Sequence, residues 1–499
     1  MSEIILVQLP TTYTDIFEDK PTIPLGLLSI CRYIYQDYSI KILDIRYQHR
    51  WKEVLNREVN QHTICVGISC MTGSQIIMGI DISKWIKQNF KVPIIWGGPH
   101  ASILPHQTLR NKYIDFVVQG EGEFAFAELV DAIKNNSDFT KIEGVWWKSN
   151  GVISKCDIKK ILDLNQLSPM PWHLINMEDY IQNFQNRRSI TIETSRGCPH
   201  RCAFCYHSAV GRARWRGLCP ELTVEMIKRL KENYAIETFI FNDDNFFVDI
   251  KRVKEIALKI ISNKLSIQWY PKGVCVDSLR NASNELLSLL IKSGCMKIKV
   301  GIESGSERIR KLINKKDNIA DIKKLNRRLS KFKLPIVYNF MCGIPSETNA
   351  DLKKSIDLLF ELLGENTYAQ NAAFLIYTPY PGTKLYEYCL MHNFVAPLRL
   401  EDWENFNLDT TVSKSWLTKN QRQIVDGLYL SSIFITNRPA DFGVFRRFPF
   451  LNLLRRIYSP IARFRLKNLY FKFLFELKIK NILEKYLNKK FHKNENITY

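Results

Sequence analysis

Short runs of β-branched residues alternate with helix-length segments along most of the chain, and this alternation constrains the fold more than any other feature. The first series of predicted strands lies at residues 3–8, 39–44, 63–69, 92–98 and 115–120. Apolar residues recur at helical spacing between them, for instance in residues 75–88 and 123–133. Strand and helix in alternation predict a parallel sheet with helices on both faces.

A second series begins after an irregular segment. Residues 162–179 include Pro169 and Pro171 and keep no period, which is typical of a linker. Six more strands are predicted at residues 189–194, 238–243, 267–274, 297–303, 335–343 and 372–379, and helices such as 223–233, 250–261 and 350–363 lie between them. Six strand and helix pairs predict an incomplete barrel whose chemistry lies at the carboxyl ends of its strands.

The predicted fold class is therefore α/β, with a flavodoxin-like or Rossmann-like parallel sheet domain, a partial (β/α)6 barrel and a basic helical C-terminal region. We expect the boundaries at residues 1–145, 146–185, 186–400 and 401–499 for the sheet domain, linker, barrel and C-terminal region. The chain has 499 residues, of which 45% are hydrophobic, so a largely disordered protein is excluded. Without a leader or an apolar run long enough to span a bilayer, the expected location is the cytoplasm.

Three cysteines follow the first strand of the second series with the spacing CxxxCxxC. Thiolates at Cys198, Cys202 and Cys205 can bind three irons of a cubic iron and sulfur cluster and leave the fourth iron open to another ligand. A structural zinc site needs four ligands, and His200 and His207 lie too close in sequence to complete one in the usual way. Zinc and unliganded thiols remain alternatives at this point.

Small residues follow the strands of the first series, where ligands of open parallel sheets bind. Ser69, Gly97, Gly98 and Gly120 stand at these strand ends, and glycine lets the backbone approach a bulky ligand closely. The alternative is that they form only the tight turns of an ordinary α/β domain.

The segment SRGCPHRCAFC resembles the motif of the radical S-adenosylmethionine superfamily. The resemblance continues over residues 186–400 in FNDDNF (241–246), GIESGS (301–306), MCGIPSET (341–348) and TPYPGTKLY (378–386). It implies that a [4Fe-4S] cluster held by the three cysteines binds S-adenosylmethionine through its amino and carboxylate groups. One electron then cleaves the sulfonium to a 5'-deoxyadenosyl radical, and a flavodoxin- or ferredoxin-type donor would supply that electron.

The same resemblance implies positions for S-adenosylmethionine. Glu303 and Ser304 would lie near its methionine or ribose end, and the backbone of Gly343, Ile344 and Pro345 near its adenine. The alternatives are that the glutamate caps a strand end and that the glycine and proline only turn the chain.

The N-terminal half resembles the cobalamin-binding subfamily of these enzymes in PTIPLGLLSI, GISCMTGS, WGGPHAS and GEGEFAFAEL. This implies a cobalamin beside the small residues at the strand ends, with His100 near the corrin ring. The usual cobalamin motif DxHxxG is absent, because Asp44, Arg46 and His49 stand at the comparable place. We therefore expect the lower face of the cobalamin to lack that histidine ligand.

With both cofactors, the resemblance implies methylation of an unactivated carbon through the 5'-deoxyadenosyl radical and methylcobalamin. Relatives with the same two domains carry out oxidative cyclisation, as in the anaerobic magnesium protoporphyrin ester cyclases, or ring rearrangement, and a cobalamin-independent radical reaction is a further alternative. Cys275 and Cys342 are candidates for a catalytic role because they stand at strand ends that face the predicted site.

The C-terminal region carries much of the net charge of +21. Residues 445–499 contain fourteen Lys and Arg against three Glu, mixed with aromatic and aliphatic residues. Such a segment can cap the barrel as an amphipathic helix or contact anionic lipid at the inner membrane face. The second case would indicate a lipid substrate in place of another small molecule. A nucleic-acid partner is not favoured, because an RNA-modifying relative would carry an added RNA-binding domain.

Overall fold

The computed structural model describes residues 2–10, 20–46, 50–158, 161–210, 214–407, 411, 414–435, 450–478 and 480. The N-terminal part is built on one seven-stranded sheet with the order β2-β1-β3-β4-β5-β6-β7. Its strands are β1 (Ile4–Gln8), β2 (Ile40–Asp44), β3 (Cys65–Ser69), β4 (Ile94–Gly97), β5 (Phe116–Val118), β6 (Val145–Ser149) and β7 (Val152–Lys155). The first five strands pair in parallel.

Helices cover both faces of this sheet, as predicted. They are α1 (Leu25–Ile30), α2 (Trp51–Glu58), α3 (Gln75–Asn89), α4 (Gly98–Ile103), α5 (Pro105–Leu109) and α6 (Glu123–Lys134). Because side chains alternate along a strand, Ile4 and Leu6 of β1 join one apolar core, and Ile5 and Val7 join the other. Because helices cover both faces of the sheet, a ligand can bind at the carboxyl ends of the parallel strands.

An antiparallel hairpin extends the sheet beyond the predicted boundary at residue 145. Strands β6 and β7 meet at Asn150 and Gly151, which both have positive φ angles, 49° and 79°. Asn-Gly between two strands favours a tight hairpin turn, so the sequence is sufficient to predict this hairpin. The sheet consequently continues to Lys155, inside the segment that was predicted as a linker.

The second half forms the partial barrel. Its strands are β8 (Gln182–Phe184), β9 (Arg187–Ile192), β10 (Ser195–Arg196), β11 (Arg216–Gly217), β12 (Thr238–Phe241), β13 (Gln268–Pro271), β14 (Ile298–Glu303), β15 (Ile336–Cys342) and β16 (Ala369–Ile376). Hydrogen bonds join them into sheets of order β13-β12-β9-β8 and β14-β15-β16, and a bridge between Trp269 and Cys295 connects the two. The six predicted parallel strands are all present, and β8 and β9 add an antiparallel pair at one edge.

The helices of this half are α7 (Tyr206–Ala209), α8 (Pro220–Tyr234), α9 (Ile250–Ser262), α10 (Val276–Leu279), α11 (Asn284–Lys292), α12 (Glu307–Leu312), α13 (Ile319–Lys331), α14 (Asn349–Glu365), α15 (Lys384–Leu390), α16 (Lys419–Ser432) and α17 (Phe450–Asn468). Helix α14 begins with a capping box of Thr348 and Asp351. Short 3-10 turns lie at Leu164–Gln166, Trp172–Leu174, Met177–Asp179 and Glu401–Trp403.

The C-terminal helices cover the last strand of the barrel. Ser432 at the end of α16 accepts a hydrogen bond from Asn371 Nδ2 at 2.9 Å through its carbonyl, and its Oγ accepts from the Phe374 amide at 3.1 Å. This contact satisfies backbone and side-chain groups of β16 that an open barrel would leave exposed. Within the described parts of the chain, no helix combines the length and apolar character that crossing a lipid bilayer requires.

Candidate functional site

The three cysteines of the CxxxCxxC motif lie on one loop beyond strand β9. Cys198 and Cys202 are each 8% exposed, Cys205 is partly buried, and all three carry free thiols. The loop is fixed against the opposite side of the barrel, because the Ala203 amide donates to the Ile313 carbonyl at 2.9 Å. The structure therefore presents three thiols from one restrained loop at the carboxyl end of the barrel.

The FNDDNF segment after strand β12 binds this loop through two consecutive side chains. Asp244 accepts a hydrogen bond from the Gly197 amide at 2.6 Å, and its other oxygen lies 2.8 Å from His207 Nε2. Asn245 Nδ2 donates to Cys198 Sγ at 3.8 Å. In the sequence, this segment carries only a resemblance, because contacts between distant parts of the chain leave no local pattern.

Asp243 fixes the strand that leads into the loop. Its buried carboxyl group accepts hydrogen bonds from the Thr194 amide at 2.8 Å, the Thr194 hydroxyl at 2.7 Å and the Ser195 hydroxyl at 2.5 Å. Burial raises the pKa of Asp243 to about 6, although the Arg252 guanidinium and these hydrogen bonds favour the carboxylate. The side chain is thus a structural anchor for the beginning of the cysteine loop.

The two other predicted cysteines have different surroundings. Cys275 Sγ, Cys198 Sγ and a ring nitrogen of His200 all lie within 4.8 Å of one another. The neighbouring Cys275 thiol lowers the pKa of Cys198 below its ordinary value, although burial acts in the opposite direction. Cys342 is fully buried, with its Sγ 4.0 Å from the Phe374 carbonyl. The structure therefore brings Cys275 to the cysteine loop and leaves Cys342 in the core.

Glu303 lies beside a buried lysine at the end of strand β14. Its Oε1 is 3.6 Å from Lys315 Nζ, which also donates to the Gly301 carbonyl at 2.7 Å. Burial raises the pKa of Glu303, and the Lys315 charge acts in the opposite direction. Lys315 also lies close enough to Cys202 to favour its thiolate. With φ at 69°, Glu303 occupies a left-handed conformation that costs about 1–3 kcal/mol and is common at functional sites.

Ser304 supports the same loop from behind. The fully buried side chain has its Oγ 3.2 Å from Ser355 Oγ, and it accepts from the Ser306 amide at 3.1 Å. The Arg310 guanidinium donates to the carbonyls of Ile302, at 2.7 Å, and Ser304, at 3.1 Å. The hydroxyl of Ser304 is therefore engaged inside the protein, and the loop around Glu303 is held by buried polar groups.

The backbone of Gly343, Ile344 and Pro345 is buried, and its polar groups are largely occupied. Glu347 Oε2 accepts from the amides of Gly343 at 2.8 Å and Ile344 at 3.3 Å, and Trp416 Nε1 donates to the Gly343 carbonyl at 2.9 Å. Burial raises the pKa of Glu347 to about 8. These residues could offer an adenine mainly apolar contact, because both amide donors already have a partner.

A cavity at the carboxyl ends of β3, β4 and β5 contains four of the predicted cobalamin residues. It encloses about 980 Å³ of empty space, its open mouth included, and is lined by Ser69, Gly97, Gly98 and Gly120. A Cβ atom at Gly98 would lie 2.8 Å from Ser69 Oγ and 2.9 Å from the Cys70 amide nitrogen, and φ there is 86°. Only glycine fits this turn, so at this point the wall of the cavity is backbone rather than side chain.

Arg196 links this cavity to the cysteine loop. Its guanidinium lies 2.7 Å from Glu123 and from Glu193, and it donates to Ser29 Oγ at 3.0 Å. Burial alone would raise the pKa of Glu123, but the Arg196 charge lowers it below its ordinary value. Arg196 and Tyr206, which flank the three cysteines in sequence, both line the cavity. The two candidate sites therefore share a wall.

His100 lies behind the cavity wall. It is 1% exposed, its Nδ1 is 3.0 Å from Thr72 Oγ1, and its ring packs edge-on against Trp403. Burial lowers the pKa of His100 to about 3, so the imidazole is neutral. It is absent from the described residues that line the cavity.

The residues at the place of the DxHxxG motif form a closed pair. Arg46 contacts both oxygens of Asp44, with 2.9 Å from Nε to Oδ1 and 2.5 Å from Nη2 to Oδ2. Tyr180 donates a further hydrogen bond to Asp44 at 3.0 Å. His49 lies outside the described residues. The departure from the motif thus replaces a histidine by an arginine that neutralises the neighbouring aspartate.

The residues fit the two metal-containing cofactors that the resemblance implies. Three free thiols on one loop match a cluster with one open iron, and the buried Lys315 ammonium offsets part of their negative charge. The glycine-walled cavity, where a Cβ at Gly98 would clash, suits a broad and flat ligand that approaches the backbone closely.

Comparisons with known proteins support the same two domains. The model of the radical SAM superfamily matches residues 192–359, and the model of the B12 binding domain matches residues 19–130. An uncharacterized methyltransferase of Pyrococcus horikoshii is 31% identical over 417 residues, which are 82% of this chain and 87% of that protein. The anaerobic magnesium-protoporphyrin IX monomethyl ester cyclase of Synechocystis is 26% identical over 58% of this chain and 59% of that protein.

Solved structures share the fold. The cobalamin-dependent S-adenosylmethionine radical enzyme OxsB, with aqua-cobalamin and S-adenosylmethionine bound, matches with a TM-score of 0.68 and 16% identity over 97% of this chain and 75% of that one. The radical S-adenosylmethionine methyltransferase TsrM of Kitasatospora setae, with cobalamin and a [4Fe-4S] cluster bound, matches with a TM-score of 0.64 and 16% identity over 80% and 76%. The chain is therefore a radical S-adenosylmethionine enzyme with a B12-binding domain, and it belongs to the cobalamin-dependent radical S-adenosylmethionine methyltransferase family.

Proposed function

We propose that the enzyme methylates an unactivated carbon of a small molecule. The observation that carries this proposal is the wall shared by the cavity and the cysteine loop, to which Arg196 and Tyr206 both contribute. When bound, the cluster with S-adenosylmethionine supplies a radical that removes a substrate hydrogen, and cobalamin supplies the methyl group. Because the cysteine loop borders the cavity, one substrate would be able to reach both the radical and the methyl group.

The protein would contribute binding and shielding at the barrel end. We assign Cys198, Cys202 and Cys205 to the cluster, and Glu303 to the methionine or ribose end of S-adenosylmethionine. Ser304 would act indirectly, by supporting the loop of Glu303.

The adenine would pack on Gly343, Ile344 and Pro345, through apolar contact. Because the amides of the first two residues already bond to Glu347, we expect adenine specificity to come from shape at this wall.

In the first domain, Ser69, Gly97, Gly98 and Gly120 would hold cobalamin by close backbone approach. We propose no axial ligation by His100, because its Nδ1 is engaged with Thr72 and the residue does not line the cavity in the described part of the chain. We propose that the chain is divided into a cobalamin-binding domain, a linker, a radical S-adenosylmethionine barrel and a basic C-terminal region.

The test is reconstitution of the full chain with iron, sulfide and cobalamin without oxygen, followed by S-adenosylmethionine and dithionite. We expect about four irons and one cobalamin per chain, and formation of both 5'-deoxyadenosine and S-adenosylhomocysteine. The matched control, with alanine at Cys198, Cys202 and Cys205, should bind cobalamin without iron and produce neither product. Iron and 5'-deoxyadenosine without bound cobalamin would overturn the proposal in favour of a cobalamin-independent reaction.

Once a substrate is in hand, product masses separate the alternatives. Methylation adds one methylene unit to the substrate, whereas oxidative cyclisation removes hydrogen and ring rearrangement leaves the mass unchanged. Loss of hydrogen without methyl gain would replace the proposed reaction by the cyclase-like alternative.

We further propose a flavodoxin- or ferredoxin-type protein as the electron donor. The net charge of +21 favours association with an acidic carrier. Reduction of the cluster by such a carrier should therefore slow steeply as salt rises, and a rate independent of salt would argue against this partner.

The structure also gives a reason to propose membrane contact through helix α17. Five large apolar side chains on this helix are between 50% and 64% exposed, and they are Leu453, Leu454, Ile457, Ile461 and Phe464. At 3.6 residues per turn they share one face about 100° wide. The opposite face packs on the barrel through Ala462 and Leu466, which are fully buried. The apolar face therefore points away from the protein.

Positive charge accompanies this apolar face. Residues 450–480 contain eight Lys and Arg and a single acidic residue, Glu476, which is buried beside Arg465. The side chains of Arg456, Lys467 and Lys472 are exposed. An apolar face with basic residues at its edge matches a helix that lies on an anionic bilayer. A peripheral position at the inner membrane face would favour a lipid substrate.

Sedimentation with lipid vesicles tests this part of the proposal. We expect the full chain to bind vesicles of phosphatidylcholine with phosphatidylglycerol more tightly than phosphatidylcholine alone, and Ile457→Ser with Phe464→Ser to lose about tenfold in affinity. Leu398→Ser is the matched control, because Leu398 is 81% exposed outside the helix. Equal binding by both variants would remove α17 from the proposal, and salt-sensitive binding of RNA without vesicle binding would replace the membrane by a nucleic acid.

A further inference from the structure

Cys275 lies next to the cysteine loop but has no part in the proposed reaction. It directly precedes helix α10, and its thiol is partly buried. Its Sγ lies within 4.8 Å of Cys198 Sγ and of a ring nitrogen of His200, although Cys275 stands seventy-seven positions after Cys198 in the sequence. The barrel therefore places a fourth thiol beside one particular member of the CxxxCxxC motif.

The closeness of the two sulfur atoms decides which role this thiol can have. The two sulfur atoms lie within 4.8 Å of each other, near enough for the Cys275 thiol to direct its proton at Cys198 Sγ. Thiolates that bind two different irons of a cubic cluster are held farther apart than this. Cys275 is consequently placed to assist Cys198 and not to bind an iron of its own.

Asn245 provides a second donor to the same sulfur. Its Nδ2 lies 3.8 Å from Cys198 Sγ and 2.9 Å from Ser278 Oγ, and His200 Nε2 lies 3.3 Å from the same serine oxygen. Ser278 belongs to helix α10, the helix that Cys275 precedes. The helix and the FNDDNF segment thus converge on one of the three thiols.

The three thiols differ in this respect. Cys202 lies near the Lys315 charge, and Cys205 is the least buried of the three. Among the described residues, Cys198 is the member of the motif whose sulfur accepts a hydrogen bond from a side chain, that of Asn245. A hydrogen bond to a cluster sulfur stabilises the extra negative charge of the reduced cluster and so raises its reduction potential.

We propose that Cys275 and Asn245 are positioning residues that hold the Cys198 sulfur through hydrogen bonds and thereby raise the reduction potential of the cluster. This inference rests on the proposed role of the three motif cysteines as cluster ligands. The predicted catalytic role of Cys275 is replaced by an electrostatic one, in which the residue makes the first electron easier to deliver.

The test is a redox titration of the reconstituted full chain, followed by electron paramagnetic resonance, for the wild type, Cys275→Ala, Cys275→Ser and Asn245→Ala. We expect Cys275→Ala to retain about four irons while the ratio of reduced to oxidised cluster at a fixed potential falls about tenfold, which is about 59 mV for one electron. Cys275→Ser should lie between this variant and the wild type, because the hydroxyl still donates. Asn245→Ala should shift the potential in the same direction.

Cys295→Ala is the matched control. Cys295 is a buried thiol that precedes strand β14, at the amino end of the barrel, and its Sγ is 3.6 Å from the Lys297 carbonyl. Its replacement should leave the potential unchanged. The potential needs no substrate, so it reports on the cluster even where activity is lost.

The outcomes separate this inference from the proposed function. An unchanged potential in Cys275→Ala overturns the inference alone, and loss of iron in that variant overturns it by showing that Cys275 is a ligand. If the variant with alanine at all three motif cysteines still bound a cluster, the proposed function would fail instead.

Discussion

The carboxyl end of the barrel and the cavity of the N-terminal sheet hold their candidate sites in opposite ways. At the barrel end, the buried Asp243 and the half-buried Asp244 bind the cysteine loop through five contacts to the chain around it. In the cavity, glycine turns such as Gly98 provide part of the wall. A charged cluster needs fixed polar partners, whereas a broad ligand needs room and backbone contact. The two sites should therefore respond to different substitutions.

Loss of one thiol of the proposed cluster site should have the largest effect and should leave the cavity intact. In Cys202→Ala we expect the iron content of the reconstituted chain to fall from about four per chain to near zero. Cobalamin absorbance should stay within experimental error of the wild type, because the cavity wall lies in another sheet. Parallel iron and cobalamin analysis checks this. Loss of cobalamin together with iron would show that the two sites are assembled as one.

Substitution of Arg196 should affect both regions, unlike the other substitutions. It pairs with Glu123, the first residue of helix α6 in the N-terminal domain, and with Glu193 at the beginning of the cysteine loop, and all three carboxylate and guanidinium groups are at least partly buried. Arg196→Met leaves buried carboxylates without their partner, which costs about 3–5 kcal/mol of unfolding free energy. Urea unfolding should show this loss together with weaker binding of both iron and cobalamin.

The same variant has a predictable pH dependence. The pKa of Glu123 in the folded protein lies below its ordinary value of 4.5, because Arg196 outweighs the effect of burial. The stability from this pair is thus fully present above pH 4.5 and is lost as the pH falls through the folded pKa. The difference between wild type and Arg196→Met should be largest at neutral pH and shrink in acid. A constant difference would mean that packing, not charge, accounts for the effect.

A smaller effect, restricted to the cavity, is expected at Gly98. An alanine there would place its Cβ 2.8 Å from Ser69 Oγ at a φ of 86°, a strain of about 1–3 kcal/mol. Gly98→Ala should weaken cobalamin binding in an absorbance titration and leave the iron content unchanged. Gly26→Ala is the matched control, because Gly26 also lines the cavity but has no atom within 4 Å of an added Cβ. Equal loss of cobalamin in both variants would contradict a backbone wall.

Local features of both regions can be predicted from the sequence. Regular strand and helix periodicity gives both parallel sheets, and the spacing of Cys198, Cys202 and Cys205 gives a cluster loop at the correct end of the barrel. The glycines of the cavity are visible as small residues after strands. Each of these features is local in sequence, so a local pattern can reveal it.

The contacts that join the regions have no local pattern. Arg196 meets Glu123 across seventy-three positions (196 − 123 = 73), and nothing in either segment marks them as partners. The same holds for Cys275 beside Cys198. The resemblance implies that Ser304 lies near S-adenosylmethionine, but its hydroxyl is hydrogen-bonded to Ser355 inside the protein. Side-chain direction and long-range pairing follow from tertiary packing, which a single sequence does not express.

The smallest effect is expected at an arginine of the barrel end that is exposed. Arg308 pairs with Asp351 and donates to the Ser346 carbonyl at 2.8 Å, but half of its side chain is open to solvent. Water and salt screen such a pair, so Arg308→Met should cost less than about 1 kcal/mol. Urea unfolding at low and high salt checks this, and the difference from wild type should shrink as salt rises.

Comparison with Arg196→Met tests whether burial determines how much a charged pair contributes to the free energy of unfolding. Burial by itself raises the pKa of Asp351, and the hydrogen bonds from Arg308 and its neighbours lower it below the ordinary value of 3.8, so this pair also loses its contribution only as the pH falls into acid. The two arginines therefore differ in exposure while the sign of their pH dependence is the same. If Arg308→Met were as costly as Arg196→Met, charge at the barrel end would stabilise the fold regardless of burial, and the difference between the two regions would have to be sought in their ligands.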